Sequence, residues 1–334
     1  MIQEHTIIIG AGPCGLAAAI SLQRIGIKPL VIEKRNIVHS ISQYPTYMSF
    51  FSTAERLEIG DIPFTTANDK PTRLEALNYY RTAAQRHNLR IQPFMTVQRI
   101  TKTDNGFILD AVNQYDEPYQ YEAKYVIVST GYFDHPNMLG IPGEELPKVS
   151  HFFREAHPYT GLEVAIIGGS NSSIDAALEL ERVGARVTII YRGEQYSKSI
   201  KPWVRPIIES KVENGHIKML FSSRVEQIHN RTIEVSTPEG IINLDNDYVL
   251  ALTGFHPDHE FLTTAGVTFE PEGHPTFNQE TMESNVPGIY LAGVVVSRKE
   301  DANEIFIESG RFHGDKIAAH LKTLGEGNVT AHTE

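Results

Sequence analysis

The sequence predicts an α/β chain with two parallel-sheet domains, the second inserted into the first. Three observations carry this reading. Residues 7–19, "IIIGAGPCGLAAA", pass from an apolar strand through a glycine-rich turn into a helix of small residues. Residues 164–178, "VAIIGGSNSSIDAAL", repeat that form. The strand "YVIVSTG" at 125–131 is echoed by "YVLALTG" at 248–254, each after a stretch that alternates and turns like a small antiparallel meander. Repetition on this scale describes two related βαβ units, each closed by a buried strand ending in Thr-Gly.

Taken in order, the elements support the duplication. Asp104-Asn105-Gly106 marks the hairpin of the first meander and Pro238-Glu239-Gly240 that of the second. After Gly254 the chain continues for 80 residues, with another buried strand in "GIYLAGVVV" at 288–296 and an amphipathic helix beginning near "ANEIFIESGRF". One unit is complete by Gly254, so this remainder returns to finish the first domain. The expected domains are 1–142 with 258–334, and 143–257, linked by two short crossings. The last ten residues, "GEGNVTAHTE", read as a frayed tail.

Size and composition set the outer bounds. A chain of 334 residues, 41% apolar, supports two cores. No apolar run approaches the ~18 residues of a membrane helix. The first strand begins within a few residues of Met1, so no presequence is expected and the cytoplasm is the expected location. The formal charge of −11 disfavours nonspecific nucleic-acid binding and opposes an acidic carrier protein. A single cysteine excludes an internal disulfide and a Cys-x-x-Cys pair. No Cys/His cluster has ligand spacing, so no metal is expected.

Gly10, Gly12 and Gly15 occupy the three glycine positions of G-x-G-x-x-G, with Pro13 and Cys14 between. The first permits the turn, the second admits a pyrophosphate to the backbone, and the third lets helix pack on sheet. Glu33 stands 18 residues beyond Gly15, where an acid accepts hydrogen bonds from ribose hydroxyls. The second loop keeps Gly168 and Gly169, followed by Ser170, Asn171 and Ser172, with Ser170 and Ser173 at the later glycine positions. At the end of its next strand the acid is replaced by Arg192, which can pair with a 2′-phosphate. The two domains therefore read as Rossmann-like, three-layer ββα folds, the first for FAD and the second for NADPH, with Lys198, Ser197 and Lys201 as helpers. NADPH carries a hydride and FAD can accept it, which specifies a redox enzyme.

On these motifs the chain resembles the two-dinucleotide-domain flavoproteins, and "NVPGIYLAGV" extends the likeness nearly end to end. "IIIGAGPCGLAAAI", "YPTYMSFFSTAERLEIGD", "GGSNSSIDAALEL", "YSKSIKPW" and "NEIFIESGRFHG" are similar to the bacillithiol-disulfide reductase family. That resemblance implies reduction of bacillithiol disulfide, a small-molecule substrate, by NADPH through FAD in a homo-oligomer. It places Gln43, Tyr44 and Pro45, and the helix start at Ile305-Phe306-Ile307, against the flavin ring. Lys34, Val97, Thr130, Gly131 and Gly293 complete the flavin set. One departure is Gly293-Val294 where the wider superfamily has Gly-Asp, which removes a ribitol contact.

Cys14 admits two readings. A thiol in the first turn of a helix is placed to ionise, and the resemblance makes it a catalytic thiol forming a mixed disulfide. Alternatively, only a small side chain fits between Pro13 and Gly15. Ferredoxin or flavodoxin reduction, monooxygenation and a flavin-based redox sensor are the rival functions. His135, His256, His259 and His313 are candidate proton donors to a leaving thiolate, none singled out.

Overall fold

The computed structural model describes residues 1–298 and 305–326. By contacts the chain forms two compact units, 1–135 with 255–334, and 136–254. The crossings thus fall a few residues ahead of the expected 142 and 257. His256 N–H donates to His135 O in the first unit, and Asn137 N–H donates to Gly254 O in the second, so each unit ties together its own ends of the crossing segments. Among the described residues no helix is long and apolar enough to cross a membrane.

The first unit opens with β1 (Ile2–Ile9), α1 (Pro13–Arg24) and β2 (Leu30–Ile32), followed by α2 (His39–Gln43) and α3 (Arg73–Arg86). Ile7, Ile8 and Ile9 are buried, as a parallel strand covered on both faces requires. A capping box starts α3: Thr72 Oγ1 accepts from Glu75 N–H, and the Glu75 carboxylate accepts from Thr72 N–H. Next come β3 (Arg90–Gln92), β4 (Met95–Thr103), β5 (Gly106–Asn113) and β6 (Pro118–Val128). The sheet has seven strands, ordered β3-β2-β1-β6-β5-β4, with a late strand pairing on β6.

The second unit contains β7 (Val149–Ser150), β8 (Glu163–Ile167), α4 (Asn171–Arg182), β9 (Arg186–Ile190), α5 (Arg205–Glu213) and β10 (Ile217–Leu220). Its meander is β11 (Arg224–Ile228), β12 (Thr232–Thr237) and β13 (Gly240–Asp245), and β14 (Tyr248–Ala251) closes the unit. Here the five-stranded sheet, β10-β9-β8-β14-β7, stands apart from the three-stranded meander. The copies differ because β6 runs unbroken, pairing with β5 at one end and β1 at the other. In the second copy Asn246-Asp247 interrupts that path: Asn246 is buried, and the Asp247 carboxylate accepts from Glu163 N–H.

The chain then returns to the first unit with α6 (His259–Thr264), β15 (Ile289–Leu291), α7 (Ile307–Gly310) and α8 (His313–Thr323). Two details differ from the sequence reading. The strand expected through residue 296 ends at Leu291, and Gly293, at φ +84°, turns the chain into a 3₁₀ turn. The single helix expected near residue 302 is instead a short turn and a separate helix broken at Arg311-Phe312, where the Arg311 guanidinium donates to the Glu55 and Glu58 carbonyls. The beginning of that expected helix and most of the expected frayed tail lie outside the described residues.

Candidate functional site

The first glycine loop is built as a close-packed corner with one open side. Gly10 has φ +107°, and a Cβ there would stand 2.3 Å from Ser129 O. A Cβ on Gly15 would stand 2.1 Å from Gly10 O, so the helix can approach the strand only because that residue is glycine. Gly12 is different. Its φ of −73° and ψ of 173° suit any residue, and among the described residues beyond its own chain neighbours no atom lies within 4 Å of a Cβ built there. No described residue requires glycine at this point, whereas a pyrophosphate approaching the backbone would.

Glu33 serves this loop directly. It is 7% exposed, and its two carboxylate oxygens accept from Ala11 N–H at 2.8 Å and Arg35 N–H at 2.9 Å. Burial raises its pKa, against the lowering by those two amides and by Lys34. The acid therefore pins the glycine loop, a structural duty that its sequence spacing does not reveal; the unused lone pairs remain available to a ribose. Lys34 pairs with Asp134 at 2.7 Å, tying the end of β2 to the segment after Thr130-Gly131. Gly131 has φ +74°. The Thr130 hydroxyl is enclosed without a hydrogen-bond partner among the described residues. Val97 is buried on β4, whose start is held to the Glu33 segment by Met95 N–H donating to Glu33 O.

Cys14 sits in the first turn of α1, half-buried. Protein atoms crowd the thiol although part of the residue stays accessible. Its sulfur lies against two glycines. A Cβ on Gly293 would stand 3.1 Å from Sγ, and one on Gly310 would stand 2.8 Å away. Burial, with the Glu308 carboxylate second, pushes the thiol up to about 12. The helix turn was expected to favour thiolate; desolvation and a nearby negative charge outweigh it.

Other predicted residues surround this part of the first unit. Tyr44 makes an edge contact with Phe133 at 5.1 Å between ring centres, and burial, then Tyr132 and Glu308, raise its pKa. Gln43 donates to Ser42 Oγ. Ile307 begins α7 half-buried, while Phe306 is 48% exposed. The Glu308 carboxylate accepts a short hydrogen bond from Ser52 Oγ. Sequence reading quoted the stretches that carry Glu308, Ser52 and Ser129 but singled out none of the three, because their partners are distant in sequence.

In the second unit a Cβ on Gly168 would meet Ser173 Oγ at 2.4 Å, and the fully buried Ser173 donates to Leu252 O. A Cβ on Gly169 would strike the Tyr191 ring at 2.3 Å, and one on Gly193 would strike it at 2.5 Å. Tyr191 thus lies between two glycines, which accounts for Gly193 after Arg192. Ser170 Oγ is 2.8 Å from Ser199 Oγ, Asn171 Nδ2 donates to Ser199 O, and Lys201 N–H donates to Asn171 Oδ1. These bonds bring the segment carrying Ser197 and Lys198 to the N-terminus of α4. Ser199 was also missed. Ser172, Lys198 and Arg192 are exposed, and among the described residues Arg192 forms no ion pair. No group of described His, Cys, Asp or Glu residues could hold a metal ion.

Comparison with known proteins agrees with this architecture. Residues 7–293 match the family described as pyridine nucleotide-disulphide oxidoreductase. The chain is 53% identical over 324 residues to the bacilliredoxin reductase Bdr of Bacillus subtilis (strain 168), covering 96% of this chain and 98% of that protein. It is similar to the solved structure of the bacillithiol disulfide reductase Bdr from Bacillus cereus, with 50% identity, a TM-score of 0.94 and coverage of 96% and 99%. The thioredoxin reductase of T. acidophilum, at 22% identity and a TM-score of 0.75 over 97% of this chain and 99% of that one, shares the fold. The chain is an oxidoreductase that belongs to the pyridine nucleotide-disulphide oxidoreductase family, among the Bdr reductases.

Proposed function

We propose that this protein binds FAD at the Gly10 loop and NADPH at the Gly168 loop, and reduces bacillithiol disulfide to two thiols in the cytoplasm. The observation that carries the reading is the placement of Cys14. The sole thiol of the chain stands in the first glycine loop, half-buried, with its sulfur packed against Gly293 and Gly310. For the first cofactor, the open space before Gly12 and the turn at Thr130-Gly131 suit a dinucleotide, and Glu33, Lys34, Gln43, Tyr44, Val97, Phe306 and Ile307 form the rest of its site. For NADPH, the exposed Arg192 and Lys198 suit the 2′-phosphate.

Bound FAD would supply two-electron exchange with NADPH. The residues of the chain do the thiol chemistry. Cys14 gives up its proton and attacks one sulfur of the disulfide; the S–S bond breaks, and one half leaves as a thiol carrying a proton. The second half stays bonded to Sγ. Two electrons and two protons, the hydride of NADPH and the added proton together, then release it as the second thiol and restore the Cys14 thiol. The sum is NADPH, a proton and a disulfide going to NADP⁺ and two thiols. Without a second cysteine, the mixed disulfide must be made with the substrate.

The test is NADPH oxidation by the flavin-loaded protein with bacillithiol disulfide, other small disulfides, ferredoxin or oxygen alone. Bacillithiol disulfide should be the preferred acceptor, and Cys14→Ala should abolish its reduction while FAD stays bound. Undiminished turnover in that variant would exclude the thiol mechanism. The name of the Bacillus subtilis relative favours a second acceptor, a bacilliredoxin, and an oxidised bacilliredoxin belongs in the same panel.

A further inference from the structure

The wall of the Cys14 slot is held from behind by a histidine. His313 is 7% exposed, and its Nδ1 accepts the N–H of Gly293 at 3.1 Å. A ring nitrogen that accepts carries no proton, so the neutral ring has its hydrogen on Nε2. Burial, with Lys316 second, pushes this ring down to about 4, which keeps Nδ1 an acceptor at neutral pH.

Gly293 follows the last residues of β15 at φ +84°, where no ladder continues to receive its amide. Its Cα faces Cys14: a Cβ there would lie 3.0 Å from the cysteine Cβ and 3.1 Å from Sγ. Gly310, which also packs against Sγ, would place a Cβ 3.0 Å from Gly293 Cα, so the two glycines touch each other as well. The helix α8, which begins at His313, is seated on the helix that carries the thiol. A Cβ on Gly314 would meet Ala18 Cα at 2.4 Å. One helix start therefore references both Gly293 and α1.

We propose that His313 is a positioning residue for the Cys14 chemistry: by accepting the Gly293 N–H at Nδ1, it holds the glycine wall that keeps the sulfur in its slot. This rests on the reading of Cys14 as the reacting thiol. If the acceptor is removed, the buried Gly293 amide must find another partner and the wall moves, loosening the desolvation of the thiol.

The variants are His313→Leu, which removes the acceptor, and His313→Asn, whose Oδ1 stands near the place of Nδ1. Each is compared with wild type at equal flavin content for the pH profile of Cys14 alkylation by iodoacetamide and for disulfide turnover. Losing one buried hydrogen bond should lower kcat/KM for the disulfide about tenfold in His313→Leu and move the alkylation profile about one pH unit downward. His313→Asn should remain within about threefold of wild type. Wild-type behaviour of His313→Leu, or equal impairment of both variants, would overturn the assignment. If His313→Leu does not fold, His313→Gln replaces it, since its Oε1 reaches the Nε2 side and should fail in the same way. A Cys14→Ala enzyme that still reduced the disulfide would refute the thiol reading alone, because the alkylation profile reads the link from His313 to Cys14 without turnover.

Discussion

Gly12→Ala separates what the fold requires from what a ligand requires. Among the described residues beyond its chain neighbours no atom lies within 4 Å of the added methyl group, and the backbone at φ −73° already suits alanine. Restricting the unfolded chain adds about 0.4–1 kcal/mol of stability. Gly12 is also the N-cap of α1, where alanine is worse than glycine by about 0.5–1 kcal/mol. These nearly cancel, so the apoprotein should melt within a few degrees of wild type, at about 2–4 °C per kcal/mol. FAD binding should suffer instead. A methyl group where a phosphate meets the backbone removes at least one charge-assisted hydrogen bond, about 1.5–3 kcal/mol, or about 10- to 150-fold in Kd. Thermal melting of the apoprotein and a fluorescence titration with FAD measure the two terms. Wild-type FAD affinity in Gly12→Ala would refute the placement of the pyrophosphate, and so would an equal loss of fold and affinity.

Three further outcomes follow from the same geometry. Glu33→Gln turns an amide NH₂ toward one of two backbone N–H donors, at Ala11 or Arg35, and should cost the apoprotein about 2–3 kcal/mol by urea unfolding; an unchanged midpoint would show that the loop is held otherwise. Asp175, on α4, is raised to about 6 by burial and then by Glu179, from 3.8. Its cost is absent below the unfolded value and grows as pH rises to about 6, so Asp175→Asn should stabilise the protein by up to about 3 kcal/mol at neutral pH and by almost nothing below about pH 4. A pH-independent gain would point to packing. With its thiol near 12, Cys14 should alkylate about tenfold faster per pH unit well past the ordinary thiol midpoint of about 8.5, and a plateau there would contradict the desolvated slot.

The repeated strand-turn-helix pattern was legible because each feature is local. Gly10, Gly12 and Gly15 stand close together, and a parallel strand buried on both faces writes itself as an apolar run such as Ile7-Ile8-Ile9. The second glycine loop and the Thr-Gly strand ends were legible by the same rule. What the sequence did not reveal is joined through space. Ser129 lies under Gly10, Tyr191 lies between Gly169 and Gly193, and Glu308 acts on a thiol nearly three hundred positions away in the chain.

By itself, then, the sequence determined that the chain repeats a nucleotide-binding unit, that its loops differ in the acid or arginine they present, and that one thiol is available. Those are properties of residue type and spacing. The tertiary structure decided the state of that thiol. Helix position alone argued for a thiolate; the return of the chain through Gly293, Gly310 and His313 encloses Cys14 and raises its pKa instead. Ionisation depends on the dielectric and charges around a group, and those come from segments that only folding brings together.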